Sequence, residues 1–210
     1  MLPTSKLPGI RNHQHDSQLP CSKVVIAVTG SVGAASYLPG FLLLSRRVFA
    51  SEHRLLMTAS AEQFVSPYSL HLFSGFPVLT DTFDRTEYSV PHIEVTRNAD
   101  LLVVLPATAN IMSKVANGIA DDLVSTCIVA ADRCPIVFVP NMNESMWKNK
   151  AVARNVDRLR ADGHHIIEPT VGIEISTMEP TFGIMPDVRT LLKRLVEIVA
   201  EHRASSSSAG

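Results

Sequence analysis

Two stretches of this chain contain almost nothing that can face water. Leu101–Leu105 reads Leu-Leu-Val-Val-Leu, and Pro135–Val139 reads Pro-Ile-Val-Phe-Val. A strand with one solvated face alternates apolar and polar residues, whereas one covered on both faces is apolar throughout. Runs this short and rich in β-branched residues are buried parallel strands. Parallel strands need long crossovers, and helical stretches fill the intervals. The pattern predicts strands at Lys23–Thr29, Arg54–Thr58, Leu101–Leu105, Pro135–Val139 and His165–Ile167. Between them it predicts helices at Gly33–Arg47, with Pro39 as a kink or late start, and at Ala61–Phe73, interrupted near Pro67. Further helices are expected at Val90–Asn98, Ile111–Ala116, Asp122–Ala131, Ala151–Asp162 and Asp187–Arg203. This alternation defines an α/β fold: a doubly wound, Rossmann-like or flavodoxin-like, mostly parallel sheet with helices on both faces. One domain over 22–203 is expected. Residues 1–21, with Pro3, Pro8 and Pro20, read as a mobile arm, and the Ser-rich 204–210 as a flexible tail.

Composition removes several function classes. Nineteen Lys and Arg face 20 Asp and Glu, a net charge of −1, whereas a nucleic-acid-binding domain is clearly basic. No apolar run approaches membrane-spanning length, and the N-terminus has no apolar core of a secretory signal. Cys21, Cys127 and Cys134 show neither metal-ligand spacing nor a disulfide framework, which suits reduced thiols in the cytoplasm. No zinc-type set of His, Cys and Glu is present. His13 and His15 in the arm read as solvated.

In an open α/β sheet, ligands bind beyond the carboxyl ends of the strands. Four segments fall there. Thr29-Gly30-Ser31-Val32-Gly33 offers close backbone approach and a helix start to an anion, although it is neither a GxGxxG fingerprint nor a Walker loop. Thr58-Ala59-Ser60 adds hydroxyls at the next strand end. Pro106-Ala-Thr-Ala-Asn110 is small enough to admit a flat ring. Helix capping by Ser31, Ser60, Asn110 and Asp121 is the competing explanation for these polar residues. The fourth segment, Pro140-Asn-Met-Asn-Glu-Ser-Met-Trp147, holds the only Trp and two amides, Asn141 and Asn143, suited to a carboxylate, an amide or a flavin edge.

The pattern P-x-M-N-x-x-M-W resembles the signature of the flavin-dependent cysteine decarboxylases. Thr29-Gly30-Ser31, Pro106–Asn110, Ala116-Asn-Gly-Ile-Ala-Asp121 and His92 resemble that family in order and approximate spacing. The resemblance implies FMN as cofactor, contacted by Gly30, Ser31, Val32, Thr58 and Ser60 and lined by Thr108, Ala109, Asn110 and Asn141. It implies that His92 is the active-site histidine and that Asn143 holds the substrate carboxylate. It also implies a segment over 171–185 that covers the substrate, with Glu174, Ile175, Ser176, Thr177 and Met146 as contacts. Homotrimers, or dodecamers built from trimers, are implied too, with His92 acting on a neighbouring subunit's flavin. The pantothenate branch usually reads P-A-M-N and carries a cysteine in the covering segment. This chain reads P-N-M-N, and 171–185 has no cysteine. The peptide branch is therefore expected: oxidative decarboxylation of the C-terminal cysteine of a ribosomal precursor peptide to an enethiol, a step toward an aminovinyl-cysteine ring in a lanthipeptide-type antibiotic. Phosphopantothenoylcysteine decarboxylase ranks second. A flavin prenyltransferase and a non-enzymatic flavoprotein rank below it.

Overall fold

The structure, a computed structural model, describes residues 19–82 and 90–208. Six strands form one parallel sheet: β1 (Cys21–Val28), β2 (Ala50–Met57), β3 (Val78–Leu79), β4 (Leu101–Ala107), β5 (Ile136–Pro140) and β6 (His165–Ile166). Their order is β3-β2-β1-β4-β5-β6. The chain winds outward from β1 in one direction and from β4 in the other. The two central strands therefore flank a topological switch point, where the connections diverge and leave a crevice at the carboxyl ends.

Alternation along the strands divides the core. Val24, Ile26, Val28, Leu101 and Val103 face one side, where α2 (Leu38–Val48) and α9 (Val188–Ser208) bring Phe41, Leu42, Leu191 and Leu195. Val25, Ala27, Leu102 and Val104 face the other. There α5 (Ala109–Ala116), α6 (Leu123–Ala130) and α8 (Lys150–Ala161) supply Met112, Val124, Ile128 and Leu159. All seven residues of β4 and all five of β5 are buried, as their unbroken apolar sequence requires. At the amino ends of the central strands, Asp100 accepts hydrogen bonds from the Ser22 and Lys23 amides at 2.7 and 3.0 Å, and from Arg203 of α9 at 2.7 Å.

Several boundaries differ from expectation, each for a physical reason. The helix expected over Gly33–Arg47 is two: α1 (Gly33–Ser36) ends at Tyr37, and α2 restarts with Pro39 in its first turn, where the missing N–H costs nothing. β2 begins at Ala50 rather than Arg54. Its polar start is tolerated because His53, fully buried, pairs with Ser45 at 2.7 Å. Over 61–73 the structure has a short 3₁₀ turn at Ala61–Gln63, then α3 (Pro67–Ser74), started by a Ser66 cap and stopped by Gly75 at φ 79°. β3, of two residues, was not anticipated. The short helix α4 spans Pro91–Glu94 rather than Val90–Asn98, and α7 (Glu144–Trp147) precedes α8. Cys21, assigned to the arm, opens β1, and α9 stays helical through Ser208 where a flexible tail was expected. Residues 1–18 of the arm, with His13 and His15, lie outside the described residues. Residues 171–185 form most of an antiparallel hairpin, β7 (Thr170–Ile173) and β8 (Pro180–Ile184), separate from the main sheet. No helix among the described residues is long and apolar enough to cross a membrane.

Candidate active site

The switch point is stitched by one hydroxyl. Thr29, buried at the end of β1, donates from Oγ1 to the Pro106 carbonyl at 2.7 Å and accepts from the Thr108 amide at 3.1 Å. The loops after β1 and β4 are thereby fixed against each other. A third loop joins at Gly30, where a Cβ would stand 2.7 Å from Ser60 Cβ. Only glycine allows the loops after β1 and β2 to approach this closely. Together they enclose a cavity of about 140 Å³ whose lining includes Thr29, Gly30, Thr58, Ser60, Thr108 and Asn110, with Ile111 and Asp122 on its wall.

The expected caps are not the ones used. Thr108, not Asn110, caps α5, and Asp122, not Asp121, caps α6 in a reciprocal box with Ser125. Ser60 makes no capping bond; Thr58 Oγ1 instead accepts from the Ala61 amide. Val32 occupies the N-cap of α1 without a side-chain bond, so Ser31 is not a cap either. The hydroxyl of Ser60 and the amide of Asn110 are left facing the cavity.

Ser31 has another role. Its Oγ accepts from Asn141 Nδ2 at 2.8 Å, which sets the orientation of the nearly buried Asn141. Gly33 makes room for this: a Cβ there would meet Asn141 Nδ2 at 2.7 Å and Met185 Cε at 2.5 Å. The hairpin is anchored to the same turn, because the Met142 amide donates to the Gly183 carbonyl at 3.1 Å. Asn143 follows and caps α7, its Oδ1 accepting from the Met146 amide at 2.9 Å. The Nδ2 of Asn143 has no partner among the described residues and is exposed, as Met146 is. The far end of the hairpin holds Glu174, Ile175, Ser176 and Thr177, closed by a bond from the Met178 amide to the Glu174 carbonyl. Val171, Ile173 and Ile175, spaced by two, are all more than half exposed. The chain therefore brings Gly30, Thr58, Ser60, Thr108 and Asn110 to one cavity and sets the Ser31–Asn141 pair beside it. Val32 is exposed, and Ala109 is the half-buried first residue of α5.

His92 stands elsewhere. It lies on α4 and lines a second cavity of about 510 Å³ with Ile93, Thr96, Arg97 and Cys134. The segments leading into β4 and β5 build this cavity, so it belongs to the amino-end side of the sheet. His92 Nδ1 is buried without a partner. The three thiols are protonated: burial pushes Cys21 and Cys127 up to about 12 and Cys134 up to about 11. No cluster of three or more His, Cys, Asp or Glu among the described residues could hold a metal ion.

Sequence reasoning passed over three participants. Thr29 was noted only as part of a loop; a hydroxyl ending an otherwise apolar strand was the available signal. Asp122 looked like the first residue of a helix. Met185 carried no signal, since its contact with Gly33 depends on how the hairpin folds back.

Fold and site together define a doubly wound α/β domain with a hydroxyl-lined crevice, suited to a phosphorylated ligand, at its switch point. The chain belongs to the Flavoprotein family, which matches residues 12–200. It is 36% identical over 183 residues to mersacidin decarboxylase of Bacillus sp. strain HIL-Y85/54728, covering 84% of this chain and 90% of that protein. It is 42% identical over 151 residues to the coenzyme A biosynthesis bifunctional protein CoaBC of Bacillus subtilis strain 168, covering 71% of this chain but 36% of that protein. Among solved structures, the FMN-dependent cysteine decarboxylase SpaF superposes with a TM-score of 0.72 at 32% identity, over 87% of this chain and 97% of SpaF. The peptidyl-cysteine decarboxylase EpiD, as a variant in complex with the substrate peptide DSYTC, superposes with a TM-score of 0.70 at 27% identity, over 82% of this chain and 97% of EpiD.

Proposed function

We propose that this chain is an FMN-dependent peptidyl-cysteine decarboxylase. It converts the C-terminal cysteine of a precursor peptide to an enethiol, as a step toward an aminovinyl-cysteine ring in a lanthipeptide-type product. The observation that carries this reading is the hydroxyl cradle at the switch point with the Asn141–Asn143 turn directly beside it. This arrangement lies in a chain that aligns with 90% of a mersacidin decarboxylase.

The cradle fits the phosphorylated end of FMN. Its hydroxyls and amides donate hydrogen bonds, and Gly30 admits a group that a side chain would displace. At about 140 Å³ it is smaller than the ~300–1,000 Å³ of a complete small-molecule site, so it would hold only the phosphate end of FMN. FMN supplies two-electron oxidation of the cysteine side chain when bound. The chain's own groups bind and orient. Gly30, Ser31, Val32, Thr58 and Ser60 hold the phosphate and ribityl; Thr108, Ala109, Asn110 and Asn141 border the ring. Asn143 Nδ2 donates to the peptide's terminal carboxylate and aims it for departure as CO₂. The hairpin, with Glu174, Ile175, Ser176 and Thr177 and backed by Met146, closes over the peptide and excludes water. His92 belongs to a separate cavity and so serves the flavin of a neighbouring chain, within a homotrimer or a dodecamer of trimers, where it assists proton removal from the thiol.

Mass spectrometry of the purified protein with a short peptide ending in cysteine, and in parallel with phosphopantothenoylcysteine, tests the proposal. Loss of CO₂ plus two hydrogens from the peptide is expected. Loss of CO₂ alone from phosphopantothenoylcysteine would move the chain to the second reading, which its identity to CoaBC favours.

A further inference from the structure

Among the described residues, no cation lines the cradle. Hydroxyls, an amide, a glycine and Ile111 line it, and the one formal charge in this lining is the Asp122 carboxylate. A group carrying two negative charges would share a small cavity with a third. The structure holds the offset outside the lining. Lys114, on α5, places Nζ 2.7 Å from Asp122 Oδ2 and 2.6 Å from Asp121 Oδ1. Asp121 is 58% exposed and screened by water, whereas Asp122 sits on the cavity wall. The opposite oxygen of Asp122 accepts from Ser125 N at 2.8 Å and Ser125 Oγ at 3.0 Å. Burial disfavours the Asp122 carboxylate, but the Lys114 bond and the two Ser125 bonds outweigh it and hold its carboxyl below the usual range. The carboxylate is therefore ionised at neutral pH, and its charge must be met by Lys114 or felt by the ligand.

Resting on the FMN reading above, we infer that Lys114 is a positioning residue for the cofactor's phosphate: by pairing with Asp122 it removes the repulsion that would otherwise exclude a dianion from the cradle. Lys114 acts through Asp122 and does not touch the ligand. Nothing in this role concerns the flavin ring or the ribityl hydroxyls. It thus predicts discrimination between two ligands that differ only in the phosphate.

The test is binding of FMN and of riboflavin to the apo-protein, followed by quenching of flavin fluorescence, in four forms: wild type, Lys114→Gln, Asp122→Asn and the double variant. Asn retains an oxygen for the Ser125 cap, so α6 keeps its start. Lys114→Gln should weaken FMN about tenfold or more and riboflavin less than twofold, because only FMN meets the uncompensated charge. Adding Asp122→Asn should restore FMN affinity to near wild type, and raising the ionic strength should partly do so for Lys114→Gln alone. Lys114→Arg should keep the wild-type preference. Equal weakening of both flavins by Lys114→Gln, or no rescue in the double variant, would overturn the proposal by showing that the pair only braces the α5–α6 turn. If the wild-type protein binds neither flavin, the FMN reading falls and this inference falls with it.

Discussion

Asn143 divides its amide between two duties. Its carbonyl oxygen caps α7, while its NH₂ faces solvent beside the hairpin anchor. A substitution that removes both duties is ambiguous, so two are informative together. Asp caps as well as Asn does, but it would set a carboxylate against the peptide's own. Asn143→Asp should keep α7 and flavin binding yet lose about 100-fold or more in kcat/KM. Asn143→Ala should lose activity and also about 1 kcal/mol of stability, the usual worth of a cap. Steady-state decarboxylation and thermal melts of both variants check this; near-wild-type turnover in Asn143→Asp would remove Asn143 from the site. The same residue shows what sequence reveals. Asn141 and Asn143 were legible because a strand end marks where ligands bind, whatever the detailed geometry. The caps expected at Ser60, Asn110 and Asp121 fall one or two positions away, and Ser31 caps nothing. Which residue caps depends on where the backbone turns from extended to helical, and Thr58, Thr108 and Asp122 occupy those turns.

Among the elements, the hairpin β7–β8 is least like its neighbours. It stands outside the main sheet and meets the turn after β5 through Gly183. Gly183 has φ 118°, and a Cβ there would lie 2.1 Å from the Met142 carbonyl oxygen. Gly183→Ala should therefore separate hairpin and turn. The peptide KM should rise about tenfold, flavin content should stay unchanged, and limited proteolysis should cut faster between residues 171 and 180. Unchanged KM and cleavage would show that the hairpin does not need this anchor. From sequence this segment was a cover over the substrate. Its pairing was hidden because the apolar residues of β7, Val171 and Ile173, point to water and not to the core. Strands β4 and β5, and β1 from Val24 onward, were legible for the opposite reason: both faces are buried, and that requirement is written in every residue. β3 escaped because two residues carry no period.

Across the whole molecule, stability rests on a few buried polar groups as well as the two apolar layers. His53 is fully buried, bonded to Ser45 through Nε2, with Nδ1 unpaired. Burial, with the Arg46 charge adding to it, lowers its pKa from 6.5 to about 3. The folded state holds His53 neutral while the unfolded chain takes a proton below 6.5. Its contribution is complete above that pH and is lost as pH falls from 6.5 toward 3, at about 1.4 kcal/mol per unit. Thermal melts between pH 7 and 5 should show a declining Tm that His53→Gln flattens; parallel curves would assign the acid loss to other groups. At the amino ends of the strands, Asp100→Ala removes an acceptor shared by two β1 amides and Arg203 and should cost about 1–3 kcal/mol in a denaturant titration. The placement of the three cysteines has a consequence of its own. The proposed product is a reactive thiol, and thiol exchange proceeds only through a thiolate. With the least perturbed cysteine near 11, roughly one molecule in ten thousand carries an ionised sulfur there at neutral pH. Held protonated by burial, the three thiols are slow to attack any disulfide that the product forms on oxidation, which disfavours capture of the protein as a mixed disulfide.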